Sequence, residues 1–153
     1  MFEYKSKVIK IIDGDTIVVD IDLGFHVTLS NQTIRLYGID SPESRTNDKI
    51  EKIFGLLSKE RVKMFCFDLC GGEILLRTYL DHNEEEKFGR ILGKVINPQN
   101  GEILNDLMVK NGFAVPYAGE NKEKVREKHL QNRKTLIDNR SVTMTYAQAG
   151  IKI

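Results

Sequence analysis

Two runs of β-forming residues meet at Asp13-Gly14, and that junction limits the fold more than any other feature of the chain. Over residues 16–22, Ile17, Val19 and Ile21 fall on one face, while Thr16, Asp20 and Asp22 fall largely on the other, with Val18 as the exception. That period of two is the signature of a half-buried strand. Residues 4–12 are rich in β-formers, and Asp-Gly between two such runs is a strong short hairpin signal. An antiparallel hairpin therefore opens the chain. A third strand-like region covers residues 25–37, interrupted near Ser30-Asn31, and two more cover 73–80 and 89–95.

Between the third and fourth strands the period changes. Across residues 48–70, Ile50, Ile53, Phe54, Leu57, Met64 and Phe65 follow helical spacing along one stripe, which Arg61 interrupts. A short helix is predicted over 104–111, with Gly112 placed to end it. A charged third helix over 122–139 has a thin apolar face of Val125, His129, Leu136 and Ile137, suited to the surface. Three strands, a helix, two strands and two helices suit an α+β chain with a mainly β core, a five-stranded OB-fold barrel with three attached helices. Residues 1–140 form that domain in this reading. The tail, 141–153, is expected to be a disordered extension, an added strand or a partner contact.

The chain of 153 residues is long enough to stabilise itself through a core, since a domain of about 150 residues buries roughly two thirds of its unfolded surface. Cys66 and Cys70, the only cysteines, are too few for a disulfide framework or a four-cysteine zinc site, and read as two buried thiols. With 23 basic and 22 acidic residues, affinity for a polyanion must come from local clustering and not from a global field. Residues 120–140 and 1–12 carry small positive excesses, read as solvated surface. No window approaches a membrane span, and the N-terminal residues lack a signal peptide's apolar stretch. The expectation is a cytoplasmic protein, with secretion left open if the chain is a mature fragment.

Three clusters carry the chemistry: Asp13-Gly14-Asp15-Thr16, the segment from Ile34 to Glu43, and Lys87-Phe88-Gly89-Arg90. Each alone is readable as a turn with a solvated or capping charge. In the second, Ile34 and Leu36 point to the core and turn Arg35 outward, while Pro42 biases Ser41 towards extended backbone between Asp40 and Glu43. Together the clusters resemble the thermonuclease, or staphylococcal nuclease, family in the Asp-Gly-Asp-Thr turn, Ile-Arg-Leu followed by Asp-Ser-Pro-Glu, and Phe-Gly-Arg. The resemblance runs on through Asn105 to Ala114 and the Lys128-His129-Leu130 segment.

That resemblance implies an OB-type barrel that hydrolyses DNA, and RNA as well, with calcium and little sequence preference, leaving a 3′-phosphate. Asp15, Asp40 and the main-chain carbonyl of Ser41 are then the metal ligands, Glu43 the base that activates water, and Arg35 and Arg90 the groups that neutralise the phosphate. Lys87 and Tyr117 are placed beside the substrate, Tyr117 either stacking on a base or packing on the barrel. The chemistry is coherent: calcium prefers hard oxygen ligands, and planar guanidinium groups suit phosphoryl charge. The alternative is a catalytically weak or inactive nuclease-like module that binds nucleic acid or a protein partner. Retention of all five polar side chains, Asp15, Arg35, Asp40, Glu43 and Arg90, favours the enzyme. Phe88 departs from the tyrosine of many relatives, Asp81, Glu84, Glu85 and Glu86 read as a solvated tip, and His26, His82 and His129 read as structural or surface residues.

Overall fold

The computed structural model describes residues 2–79 and 89–152. Five strands close a barrel: β1 (Glu3–Asp13), β2 (Thr16–Asp22), β3 (Thr28–Leu36), β5 (Glu73–Tyr79) and β6 (Ile91–Ile96), in the order β1-β2-β3-β6-β5. All ladders are antiparallel except the closing seam, where β3 and β6 pair in parallel through Ile34↔Ile91, Arg35↔Leu92 and Leu36↔Gly93. This is the expected OB-type barrel. Ile17, Val19, Ile34, Leu36, Leu76 and Val95 fill its interior, each at most 1% exposed. A separate two-stranded ribbon pairs β4 (Ile39–Asp40) with β7 (Val115–Pro116) beside the barrel mouth.

The opening hairpin forms as expected, although the two turn residues are Gly14 and Asp15, because Asp13 already pairs with Thr16. The third strand is shorter than expected at both ends. Phe25 and His26 take left-handed φ values of 54° and 63°, which break the strand conformation, and Phe25 projects as a 97% exposed loop side chain. The interruption near Ser30-Asn31 is a bulge: Asn31 has φ 54°, and its amide donates to Asp20 Oδ1 at 2.8 Å.

Helix α1 (Lys49–Lys63) starts where Asp48 accepts from the amides of Ile50 and Glu51, and continues into a π-helical segment, Met64–Leu69. Its buried face differs from the expected apolar stripe. Phe54, Gly55, Ser58 and Val62 point inward, while Ile53 and Met64 are exposed. Small residues are needed there because the chain comes close: a Cβ on Gly55 would lie 2.2 Å from Glu43 O, and one on Gly14 would lie 2.7 Å from Ser58 Cβ. The wider turn of the π segment then brings Phe65 and Cys66 round to the core. Both cysteines are buried and free, as expected.

Helix α2 (Leu104–Lys110) buries Leu104, Asn105 and Met108 and ends before Gly112, at φ 82°. Helix α3 (Lys122–Asp138) is capped by Asn121 and is mostly exposed, burying only Arg133 and Leu136. The segment 141–152 adds no strand. It folds back on α3: Val142 N donates to Leu136 O, Tyr146 Oη bonds Asp138, and Ala149, fully buried, accepts from Arg133 Nη1 at 2.8 Å. Among the described residues no helix is long and apolar enough to cross a membrane.

Candidate active site

The site is built where the β1–β2 turn, the end of β3 and the β4 loop meet. Asp15 is buried in the turn; its Oδ1 accepts from Thr16 Oγ1 at 2.9 Å and its Oδ2 from the Ser41 amide at 3.1 Å. The Leu36 amide donates to Asp15 O at 2.7 Å, so main-chain bonds lock the turn to β3. Arg35 faces Thr16 across the ladder, turned away from the core by the strand period. Its side chain, 12% exposed, places Nη2 3.6 Å from Asp15 Oδ2 and 3.5 Å from Asp40 Oδ1. One guanidinium thus gathers both carboxylates that the sequence nominates, and its Nη1 is held by Leu36 O at 3.0 Å.

Asp40 sits on β4, paired with Val115, and its side chain is 29% exposed. Ser41 is buried, and its Oγ has no hydrogen-bond partner. Glu43 follows on an exposed stretch of the same loop. Its carboxyl is nevertheless drawn partly out of water, and that desolvation, followed by the fields of Asp15, Asp13, Asp40 and Glu51, raises its pKa above the ordinary carboxylate value. Beneath the loop, Ser44 Oγ bonds Asp13, whose other oxygen lies 3.7 Å from Arg45 Nη2. The first Asp of the turn therefore anchors the loop that the second one faces.

Arg90 immediately precedes β6. It stands two residues before Leu92, the register partner of Arg35 on β3. Tyr117 lines a cleft of about 560 Å³ together with Arg35, Tyr37, Leu92 and Glu120. The Tyr37 ring in that wall is backed by Tyr79, stacked at 4.3 Å and 1°. Lys87, Phe88 and the acidic stretch Asp81 to Glu86 lie outside the described residues.

Asp15 and Asp40, which converge on Arg35 Nη2, and the Ser41 main chain, whose amide donates to Asp15 Oδ2, bring together oxygen donors of the kind that a hard cation prefers. Among the described residues no three His, Cys, Asp or Glu side chains gather as they would around a metal ion, so a cation here would draw on main-chain and substrate oxygens as well. Of the two readings of His129, structural or surface, the surface one fails: on α3 its side chain is 14% exposed, and its Nε2 lies 2.8 Å from Asp40 Oδ2, a contact that the sequence did not announce. A second cleft, of about 470 Å³, separates α3 from the loop and is lined by Asp40, Glu43, Glu51, Arg126, His129 and Arg133.

An OB-type barrel carrying an arginine between two carboxylates, with a third acid beside them, defines a nuclease-like domain. Comparison with known proteins agrees. The model of the staphylococcal nuclease homologue family matches residues 33–140, and the chain belongs to that family. It is 33% identical over 111 residues to an uncharacterized protein of Bacillus anthracis, covering 72% of this chain and 46% of that protein. It is 30% identical over 112 residues to the thermonuclease of Staphylococcus hyicus, covering 73% and 59% respectively. The endonuclease YhcR of Bacillus subtilis is 28% identical over 120 residues, 75% of this chain but 9% of that enzyme. The chain thus spans about half the length of the first two relatives.

Proposed function

We propose that this domain is a calcium-dependent nuclease that hydrolyses phosphodiester bonds in DNA and RNA with little sequence preference. The observation that carries the reading is the convergence of Asp15 and Asp40 on Arg35, with Glu43 inside the same negative field. Asp15, Asp40 and the Ser41 carbonyl would hold the ion, which when bound supplies charge stabilisation at a phosphate oxygen.

The other roles belong to the protein's own groups. Arg35, fixed by two carboxylates and a carbonyl, is preorganised to present its remaining edge to nonbridging oxygens, where planar guanidinium groups bind two acceptors at once. Arg90, two residues before the Leu92 that pairs with Arg35, adds a second positive charge against the phosphorane-like transition state. Glu43 takes a proton from water or orients it, and its raised pKa makes it a better base than a fully solvated carboxylate. The wall of Tyr37 and Tyr117 offers flat surface to a neighbouring base, which any sequence can use. Near-neutral charge is compatible with this, because the positive groups are concentrated at the scissile phosphate.

The test is cleavage of single-stranded and plasmid DNA, and of RNA, by the purified protein in calcium, magnesium or chelator. Activity is expected in calcium, with 3′-phosphate ends, and a loss of ~10²-fold or more is expected in Glu43→Gln and Arg90→Ala. Failure to cut in calcium, or undiminished cutting by both variants, overturns the assignment. Retained binding without cutting points instead to a module that holds nucleic acid without hydrolysing it.

A further inference from the structure

Asp40 does not stand alone against Arg35. Its two oxygens face different partners, Oδ1 towards Arg35 Nη2 and Oδ2 towards His129 Nε2. The histidine comes from α3, 89 residues away in sequence. The helix is registered on the same ribbon that carries Asp40: Asn132 Nδ2 donates to Ala114 O at 3.0 Å, just before β7, and β7 pairs Val115 with Asp40. Residues 132 and 133 lie three and four positions after His129, so they share its helix face. Arg133 on that face is fixed to Ala149 O and lies over the Phe54 ring at 5.2 Å. The His129 ring is therefore delivered to Asp40 by a helix tied to the rest of the domain at Ala114 and at Phe54.

The ring itself has one polar anchor. His129 Nδ1 is buried without a hydrogen-bond partner, so all the ring's visible hydrogen bonding is directed at Asp40. A residue needed only to fill this space would be less costly as an apolar side chain, which has no ring nitrogen to leave unsatisfied. With a carboxylate as partner, Nε2 is the nitrogen that carries the proton. We propose that His129 is the positioning residue of Asp40, holding Oδ2 by a hydrogen bond so that the carboxylate is oriented for metal through Oδ1. The inference rests on Asp40 being a calcium ligand, and it assigns His129 no contact with metal or substrate. Partners of this kind, one bond removed from a metal, typically alter affinity by about 10- to 100-fold.

The experiment titrates calcium chloride alone into the purified full chain by calorimetry, for wild type, His129→Leu, His129→Gln and Asp40→Asn, with thermal melts in chelator alongside. His129→Leu is expected to weaken calcium binding by about 10-fold or more, while His129→Gln, which keeps an N–H donor near the same point, recovers most of it. A purely structural role would lower the melting temperature in chelator and leave the calcium affinity unchanged. Where His129→Leu does not fold, His129→Asn, whose amide stops short of Asp40, takes its place. Wild-type affinity in the leucine variant, or a glutamine variant as weak as leucine, overturns the proposal. Unaltered binding in Asp40→Asn overturns the ligand assignment beneath it.

Discussion

Gly55→Ala sets two physical effects of opposite sign against each other. Alanine is the best helix former and glycine among the worst, so in an unencumbered helix the change stabilises by about 1 kcal/mol. Here the new methyl would lie 2.2 Å from Glu43 O, 2.4 Å from Glu43 C and 2.6 Å from Ser44 N. Carbon contacts settle near 3.5 Å or beyond, so loop and helix must part by about 1 Å, and the atoms in the way are main chain that cannot rotate aside. Main-chain contacts this short put the cost in the upper part of the range for overpacking, about 2–3 kcal/mol, which exceeds the propensity gain. The expected balance is a loss of about 1–2 kcal/mol, lowering the melting temperature by roughly 2–8 °C in a domain of this size. The displaced residue is Glu43, so activity should fall further than stability, by about 10²-fold for an ångström of misplacement. Thermal melts in chelator and steady-state cleavage of single-stranded DNA measure the two effects separately. A variant more stable than wild type and fully active would refute the account of why this helix carries a glycine.

Other groups give independent checks. Asn105 is buried, donating to Tyr37 O and Gly93 O and accepting from Val95 N, so Asn105→Ala removes three bonds and strips the Val95 amide and the Tyr37 carbonyl of that partner, while Gly93 O keeps the Tyr37 amide at 2.8 Å. It should destabilise by about 2–4 kcal/mol in urea unfolding, and a change below about 1 kcal/mol would contradict the network. The bonds from the Glu51 and Ile50 amides hold the Asp48 carboxyl below its ordinary range. A carboxyl lowered in the folded state stabilises above its unfolded pKa of about 3.9 and loses that contribution as pH falls through the folded value. The stability advantage of wild type over Asp48→Asn should therefore be constant near neutrality and vanish in acid; a difference that persists to low pH excludes the charge as its source. Burial, helped by the field of Cys70, pushes the Cys66 thiol up to about 12. Cys66 should therefore resist a disulfide reagent at pH 8 until the protein unfolds, and rapid modification of the native protein would show that the site is open.

Local pattern announces the barrel strands, and their order the barrel, but it does not tell which strands pair at the closing seam and it misses the β4–β7 ribbon. The alternation of Ile17, Val19 and Ile21 announces β2, and Ile34 and Leu36 place Arg35 outward, because side-chain direction in a strand depends only on position. The parallel seam between β3 and β6 has no local signal, since it joins distant segments without a turn. The inward face of α1 is also hidden from an apolar count, because Gly55 and Ser58 are there for closeness and not for hydrophobicity. His129 lies on the predicted apolar face of its helix, yet a single histidine does not name its partner; only the docking of α3 on β7 brings it to Asp40. The spacing of His129 with Asn132, Arg133 and Leu136 was the available clue that this face is occupied by polar contacts as well as by core. Arg133, fixed over Phe54 by the returning tail, could not be anticipated from the tail's composition.

The parallel seam also has a consequence for synthesis. Asp15, Arg35, Asp40 and Glu43 lie on contiguous early sequence, whereas β6 and the arginine before it come much later. A chain emerging from the ribosome cannot raise the barrel wall that completes the pocket until Ile91–Ile96 is free to insert against β3, and β7, which pairs with the β4 strand of Asp40, emerges later still. Insertion of that strand is a non-local event and therefore among the slower ones. With the reading proposed above, hydrolytic competence cannot precede barrel closure, so the first cleavage in a translation reaction gives a latest time for the closing of the seam.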